Sequence, residues 1–172
     1  LDPVFLLKRE EWERIEIPPA EDGYILYYAT EANGDMAEFA GRLAKRTGRT
    51  VVELRSGAGS ADKEFITDGT AGPAGFLGYI HNADYVVTNS FHGTAFSILY
   101  QKKFMVFLHR SLGARIRNIL RIHGLEDRLY REEQETAVDS PIDWARVERR
   151  TERNVRGSEE FLRENVLDSV RR

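Results

Sequence analysis

Short apolar runs alternate along this chain with segments whose apolar residues recur at helical spacing. Residues 24–29, Tyr-Ile-Leu-Tyr-Tyr-Ala, form an unbroken apolar run of strand length behind Gly23. Such a run suits a central strand covered on both faces. Residues 33–47 then place Met36, Phe39, Ala40, Leu43 and Ala44 on one helical stripe, and Gly48 stands where a helix-ending glycine belongs. Thr50 to Leu54 reads as a second strand. Pro73 opens a helix carrying Phe76, Leu77 and Ile80, because proline fits a first turn whose N–H has no partner anyway. Asp84 to Thr88 is a third strand. Residues 93–101 follow as a helix apolar nearly all round, and therefore a buried one. Phe104 to Leu108 is the fourth strand, and Leu112 to Ile122 an amphipathic helix closed by Gly124.

The flanks read differently. Residues 1–7 are largely apolar, and 8–15 make a short helical turn with Trp12 and Ile15 on one side, ended by Pro18-Pro19. An acidic stretch, 131–139, separates the fourth strand's unit from a charged helix running from Asp143 to about Val170. Trp144, Val147, Phe161, Leu162, Val166 and Leu167 are its packing positions, and Gly157 marks an interruption or a junction.

Strands alternating with helices predict an α/β fold: a Rossmann-like parallel sheet flanked by helices, with right-handed crossovers. The expected division is an N-terminal extension or linker over 1–22, the Rossmann-like domain over 23–140, and a C-terminal helical segment over 141–172 that packs back. Ligands of such folds gather beyond the carboxyl ends of the strands.

Composition narrows the function. With 172 residues, 41% hydrophobic and 31% charged, the chain is of ordinary globular type. A formal charge of −3 with no sustained basic run before the last helix argues against nucleic-acid binding. The absence of cysteine excludes disulfides, thiolate metal sites and cysteine nucleophiles. No apolar run approaches the roughly 20 residues that span a bilayer, and no His/Asp/Glu group has metal-binding spacing. The opening Leu1-Asp2-Pro3, without an initiator Met, leads us to expect an excised piece of a longer protein.

Candidate chemistry concentrates at residues 83–97, Ala-Asp-Tyr-Val-Val-Thr-Asn-Ser-Phe-His-Gly-Thr-Ala-Phe-Ser. A strand runs into a polar turn and then into a helix, with His92 at the junction. Backbone N–H groups at a helix start favour an anion. For His92 the competing reading is a buried histidine that caps the turn. Ser90 and Thr94 carry hydroxyls that either touch a ligand or cap the helix. Gly93 either lets backbone approach a ligand or packs strand against helix, and Asn89 is either an oxygen-binding group or an ordinary turn residue. Residues 56–60, Ser-Gly-Ala-Gly-Ser, lack the lysine ending of a phosphate loop and read as a loop near the cleft. His81 and His123 are expected to meet carbonyls at helix ends.

The run from Ala83 to Thr94 resembles the polysaccharide pyruvyl transferase family, together with Gly72-Pro73, Phe76-Leu77, Ile80, Phe96-Ser97 and Lys103-Phe104. So do Asp2 to Leu7 with Trp12, Arg115 to Leu120, and Gly124 to Arg128. Members are usually about twice this length and resemble two-domain transferases of the GT-B type. This chain matches the C-terminal half and its linker, so the resemblance implies a missing N-terminal half as partner. It implies transfer of a pyruvyl group from phosphoenolpyruvate, with no further cofactor, onto two hydroxyls of a glycan or lipid-linked sugar. It also implies a cytoplasmic enzyme of exopolysaccharide assembly that reaches the inner face of the membrane through its acceptor.

By the same resemblance His92 is the catalytic candidate. Asn89, Ser90, Phe91, Gly93, Thr94 and Arg115 are the substrate-binding candidates. Some relatives carry arginine where Ser90 stands, so the cationic role falls here to Arg115, Arg110, Arg117, Lys103 or the missing half. Guanidinium suits phosphate or carboxylate, and histidine suits proton movement near neutrality. Two alternatives remain at this point: the donor half of a nucleotide-sugar glycosyltransferase, and a non-catalytic binding module.

Overall fold

A computed structural model describes residues 1–55, 60–108 and 113–167, with side chains through 165. β1 (Tyr24–Tyr28) is the middle strand of a five-stranded parallel sheet. β2 (Thr50–Leu54) and β3 (Ile66–Asp68) lie on one side of it, and β4 (Tyr85–Thr88) and β5 (Lys103–Val106) on the other. The order β3-β2-β1-β4-β5 means that the chain winds outward from β1 first one way and then the other. The β1/β4 boundary is where the winding reverses, the place at which open α/β sheets form a binding crevice.

The unbroken apolar run of β1 is explained by its position. Tyr24, Ile25, Leu26 and Tyr27 are all buried, and they alternate between two cores. Ile25 and Tyr27 meet Met36, Phe39 and Leu43 of α2 (Gly34–Thr47), with Val87 and Met105. Tyr24 and Leu26 face the opposite layer. That layer contains α3 (Pro73–Asn82), α4 (Phe91–Leu99) and α5 (Gly113–His123), through Leu77, Ile80, Phe96 and Ile116. α6 (Trp144–Leu162) packs Val147 and Trp144 on that side.

Residues 1–22 are fastened into this second core. Val4 and Phe5 are buried in a short 3-10 turn (Pro3–Leu6) that Asp2 caps. Trp12 of α1 (Arg9–Glu13) donates its indole N–H to the Val4 carbonyl at 3.1 Å and sets its ring edge-on to Phe96, 5.1 Å between centroids. The Ile17 N–H donates to the Ala74 carbonyl at 2.9 Å. The strap crosses α3 at Gly78, where a Cβ would collide with the Ile17 carbonyl, so close approach requires glycine there.

Several expectations are corrected. β3 was not anticipated, because Ile66 is its single apolar residue and is exposed at the sheet edge. β5 ends at Val106 rather than Leu108. α4 begins at Phe91, two residues before the expected start, because Ser90 caps it. Gly157 neither interrupts α6 nor marks a junction: the helix runs through it, and no atom lies near its missing Cβ. Phe161 and Leu162, expected to pack, are 62% and 41% exposed, and Ile15 is 56% exposed. Residues 131–139 are more than a polar separator. A kinked 3-10 segment (Glu132–Asp139) buries Val138 and ties itself to α2 through Arg42–Glu135, 2.8 Å, and Arg46–Asp139.

His81 does not meet a helix carbonyl through its ring. Nδ1 lies 2.8 Å from Glu16, and Nε2 lies 2.9 Å from the Arg9 guanidinium, so the imidazole pins the N-terminal strap to α3. His123 does meet one. Its Nδ1–H donates to the Ile119 carbonyl at 2.8 Å, while Nε2 is buried with no hydrogen-bond partner.

Burial pushes the His123 imidazole below its ordinary value, outweighing the helix carbonyl that favours the charged form. The folded protein therefore takes up this proton at lower pH than the unfolded chain. The stability contributed by the neutral ring is complete above pH ~6.5 and is lost as pH falls from there through the folded value. Denaturant titrations between pH 7 and 5 should show stability falling in the wild type and falling less in His123→Gln. Parallel slopes would contradict this assignment.

Candidate functional site

A cleft of about 920 Å³ opens at the carboxyl ends of β1, β2 and β3. Residues 27–34 at the end of β1 and in the loop after it, Arg55 with Ser60 and Ala61 after β2, and Gly72 and Pro73 before α3 form its walls, and His92 closes one side. α2, α3 and α4 all begin here. Asn33 caps α2 by accepting the Met36 N–H at 2.9 Å, and Ser90 caps α4 by accepting the Gly93 N–H at 3.2 Å. α3 starts with Pro73 behind Gly72 and has no capping side chain. Partial positive charge at three converging helix starts makes the cleft favourable for an anion.

The joint between β4 and α4 is built from side-chain hydroxyls. Thr88 Oγ1 donates to the Tyr28 carbonyl at 2.7 Å and accepts the Ser90 N–H at 3.0 Å. Thr94 Oγ1 donates to the Ser90 carbonyl at 2.8 Å. A Cβ on Gly93 would stand 2.5 Å from Thr88 Oγ1, so glycine here lets the helix start lie against the strand end. Asn89 is wholly buried. Its Oδ1 accepts the Thr30 N–H and its Nδ2 donates to the Glu31 carbonyl, each at 2.9 Å. It holds the loop after β1 against the loop after β4.

The expected site residues therefore separate by placement. His92 is exposed, stands second in α4 and faces the cleft. Its ring makes no hydrogen bond to a described residue and lies T-shaped to Phe91, 5.5 Å between centroids. Asn89, Gly93 and Thr94 are buried and occupied with neighbouring backbone or packing. The Arg115 guanidinium stacks over the Phe91 ring at 4.1 Å and lies 3.8 Å from Asp2, outside the cleft wall. Lys103 is placed at the opposite edge: it begins β5 and sits over the Tyr85 ring at 5.3 Å, at the amino end of the sheet. It is corrected as a donor-binding cation. Arg117 is exposed on α5. Arg110, His109 and residues 56–59 of the Ser56–Ser60 loop lie outside the described residues.

Three cleft residues escaped the sequence reading. Arg55 directly follows β2, so its place at the carboxyl edge was the available signal. Glu53 interrupts an apolar strand with a charge, and it is 2% exposed. Its Oε2 accepts the Ser60 O–H at 2.6 Å and the Ala61 N–H at 2.8 Å, and the Arg55 guanidinium lies 3.6 Å from Oε1. Tyr28 ends β1, with its ring 4.8 Å from that of Phe76. Burial first, then the Glu53 charge, push the Tyr27 phenol up to about 12. Burial likewise raises the Tyr28 phenol, and the Ser90 hydroxyl opposes that rise. Both therefore stay protonated at neutral pH.

Comparison with known proteins fits this geometry. The model of the polysaccharide pyruvyl transferase family matches residues 1–111. Among solved structures, the UDP-GlcNAc 2-epimerase from Methanocaldococcus jannaschii is similar at a TM-score of 0.50 and 15% identity, over 78% of this chain. At that identity the likeness speaks for the fold alone, a Rossmann-like α/β sheet of GT-B-like type. The chain covers 42% of the epimerase's length. No curated protein matches by sequence.

The hydroxyl joint makes Gly93 a sensitive position. Gly93→Ala should lower stability by about 1–3 kcal/mol through the clash with Thr88, read as a fall in melting temperature. An unchanged melting temperature would contradict the packing role.

Proposed function

The chain belongs to the polysaccharide pyruvyl transferase family, and on that premise we propose that it is the donor-binding half of an enzyme that ketalises sugars with pyruvate. The substrate is phosphoenolpyruvate, and the acceptor is a glycan or lipid-linked sugar with two suitably placed hydroxyls. The observation that carries the reading is His92, exposed on a cleft where three helix starts converge.

Phosphoenolpyruvate is an enol phosphate bearing a carboxylate. A proton delivered to its methylene carbon makes a methyl group and leaves cationic character on the adjacent carbon. One sugar hydroxyl adds there and gives up its proton. Phosphate then leaves with its bond electrons, the second hydroxyl closes the ring, and the second hydroxyl proton ends on phosphate. One hydroxyl proton replaces the proton spent on carbon, so the overall reaction yields a cyclic ketal and inorganic phosphate. No redox step occurs, and the donor's own enol phosphate supplies the driving force, so the proposed chemistry needs no resident cofactor.

His92 is suited to hold or pass a proton beside the donor, since an imidazole changes charge near neutral pH. The helix starts stabilise the phosphate and carboxylate charges. Arg55, on the β2 side of the cleft, provides a cation in its described lining. The other wall of the cleft comes from an N-terminal half of the same chain, which also takes part in holding the acceptor. The reaction is placed in the cytoplasm, where the acceptor brings the enzyme to the inner face of the membrane. Among the described residues no helix is long and apolar enough to cross a membrane.

The test uses the full gene product with a glycan acceptor. His92→Ala should reduce phosphate release from phosphoenolpyruvate by about 10²–10⁴-fold and leave melting unchanged, because the ring is exposed. Full activity in this variant would overturn the role of His92. Tight binding of UDP with no response to phosphoenolpyruvate would overturn the reaction in favour of nucleotide-sugar transfer.

A further inference from the structure

Glu53 sets an acidic side chain in the wall of a cleft that suits an anion, and it is 2% exposed. Its neighbours account for its presence. Oε2 accepts the Ser60 O–H at 2.6 Å and the Ala61 N–H at 2.8 Å. Oε1 lies 3.6 Å from Nη1 of Arg55. That separation is an ion pair longer than a hydrogen bond. Among the described residues the guanidinium makes no hydrogen bond, so its N–H donors are left for another acceptor. The Arg55 side chain is 37% exposed against 3% for Glu53, and both residues line the cleft. A buried carboxylate thus anchors a cation that reaches open space.

Strand geometry puts the two on one face. Side chains two apart along a strand share a side of the sheet. Arg55 continues the ladder beyond β2, since its N–H donates to the Asp68 carbonyl at 3.1 Å. Val51, on the same face as Glu53, packs in the core beneath α2 with Tyr27, the partner of Glu53 in the register. Arg55 therefore enters the cleft from the α2 side, whereas His92 enters from α4 in the opposite layer. β2 and β4 are the two neighbours of β1, about 10 Å apart, so side chains following both can reach one small donor. Phosphoenolpyruvate has two unlike anionic ends. Phosphate suits the start of α4, and the planar carboxylate matches the planar fork of a guanidinium.

We infer that Arg55 recognises the carboxylate of phosphoenolpyruvate, and that Glu53 is the positioning residue that holds the guanidinium toward it. The inference rests on the donor reading above and deepens it. It assigns the group that separates an enol phosphate bearing a carboxylate from phosphates that have none. It also gives the buried Glu53 charge a use: a carboxylate that never touches the donor fixes the cation that does.

The experiment uses the full gene product with phosphoenolpyruvate and a glycan acceptor, and inorganic phosphate as a competing ligand without a carboxylate. Arg55→Gln should raise KM for phosphoenolpyruvate about 10- to 100-fold and leave the inhibition constant of inorganic phosphate within about twofold. A protein merely loosened by the substitution would lose both ligands alike, so the contrast separates recognition from structure. Glu53→Gln keeps an oxygen for Ser60 and Ala61 and removes the charge. It should raise KM by a smaller factor and, added to Arg55→Gln, raise it no further, because it acts through the guanidinium. An Arg55→Gln enzyme whose KM is within about twofold of wild type overturns this inference and leaves the donor reading standing. So does a parallel rise in the inhibition constant of phosphate, or a full additional loss on adding Glu53→Gln. A wild type that neither binds phosphoenolpyruvate nor releases phosphate from it overturns both.

Discussion

The site depends on one hydroxyl. Thr88 Oγ1 joins the ends of β1 and β4, donating to the Tyr28 carbonyl and accepting the Ser90 N–H. It thereby fixes where the strand order reverses and where α4 begins. Its own bulk then dictates glycine at position 93, since nothing larger fits between that hydroxyl and the helix. Ser90 caps, Thr94 ties the first turn back to Ser90, and Asn89 holds the facing loop. Each of these groups is buried and has a partner, as groups removed from water must. The outcome is a rigid corner from which His92, one residue beyond the cap's neighbour, stands out into solvent.

The two cores make that corner dependable. β1 is covered on both faces, so neither its register nor its direction can drift without exposing Tyr24 or Ile25. The N-terminal strap adds to the same layer as α4, with Trp12 edge-on to Phe96 and Phe5 against His123. Phe96 is shared between the strap, the cleft and Phe76. Packing far from the cleft and the position of Tyr28 within it are thus coupled through a chain of aromatic contacts.

The fold was legible where burial left a pattern. A strand covered on both faces writes an apolar run, and β1, β2 and β4 were visible for that reason. β3 was not, because an edge strand of three residues with one apolar side chain writes nothing distinctive. The glycine in α6 misled because a glycine's cost of about 1 kcal/mol is easily carried by a 19-residue helix. Phe161 and Leu162 misled because helical spacing identifies a stripe but not what the stripe meets. At the site, the turn from Asn89 to Thr94 stood out as a corner. The sequence could not show that most of its polar residues face inward. Tyr28 was hidden by the same apolar run that revealed its strand: a tyrosine in such a run reads as core, and only the position at the strand's end distinguishes it. Arg55 and Glu53 were similarly masked, one by a following glycine-rich loop and the other by its apolar neighbours.

The central claim is that the cleft at the carboxyl ends of β1, β2 and β3 receives phosphoenolpyruvate beside His92. A crystal structure of the full gene product bound to phosphoenolpyruvate tests it most directly. The account predicts the donor at the start of α4, with an oxygen or the methylene carbon within about 3–3.5 Å of a His92 ring nitrogen. Donor density at another surface, or in this crevice with the imidazole turned away from it, would contradict the account.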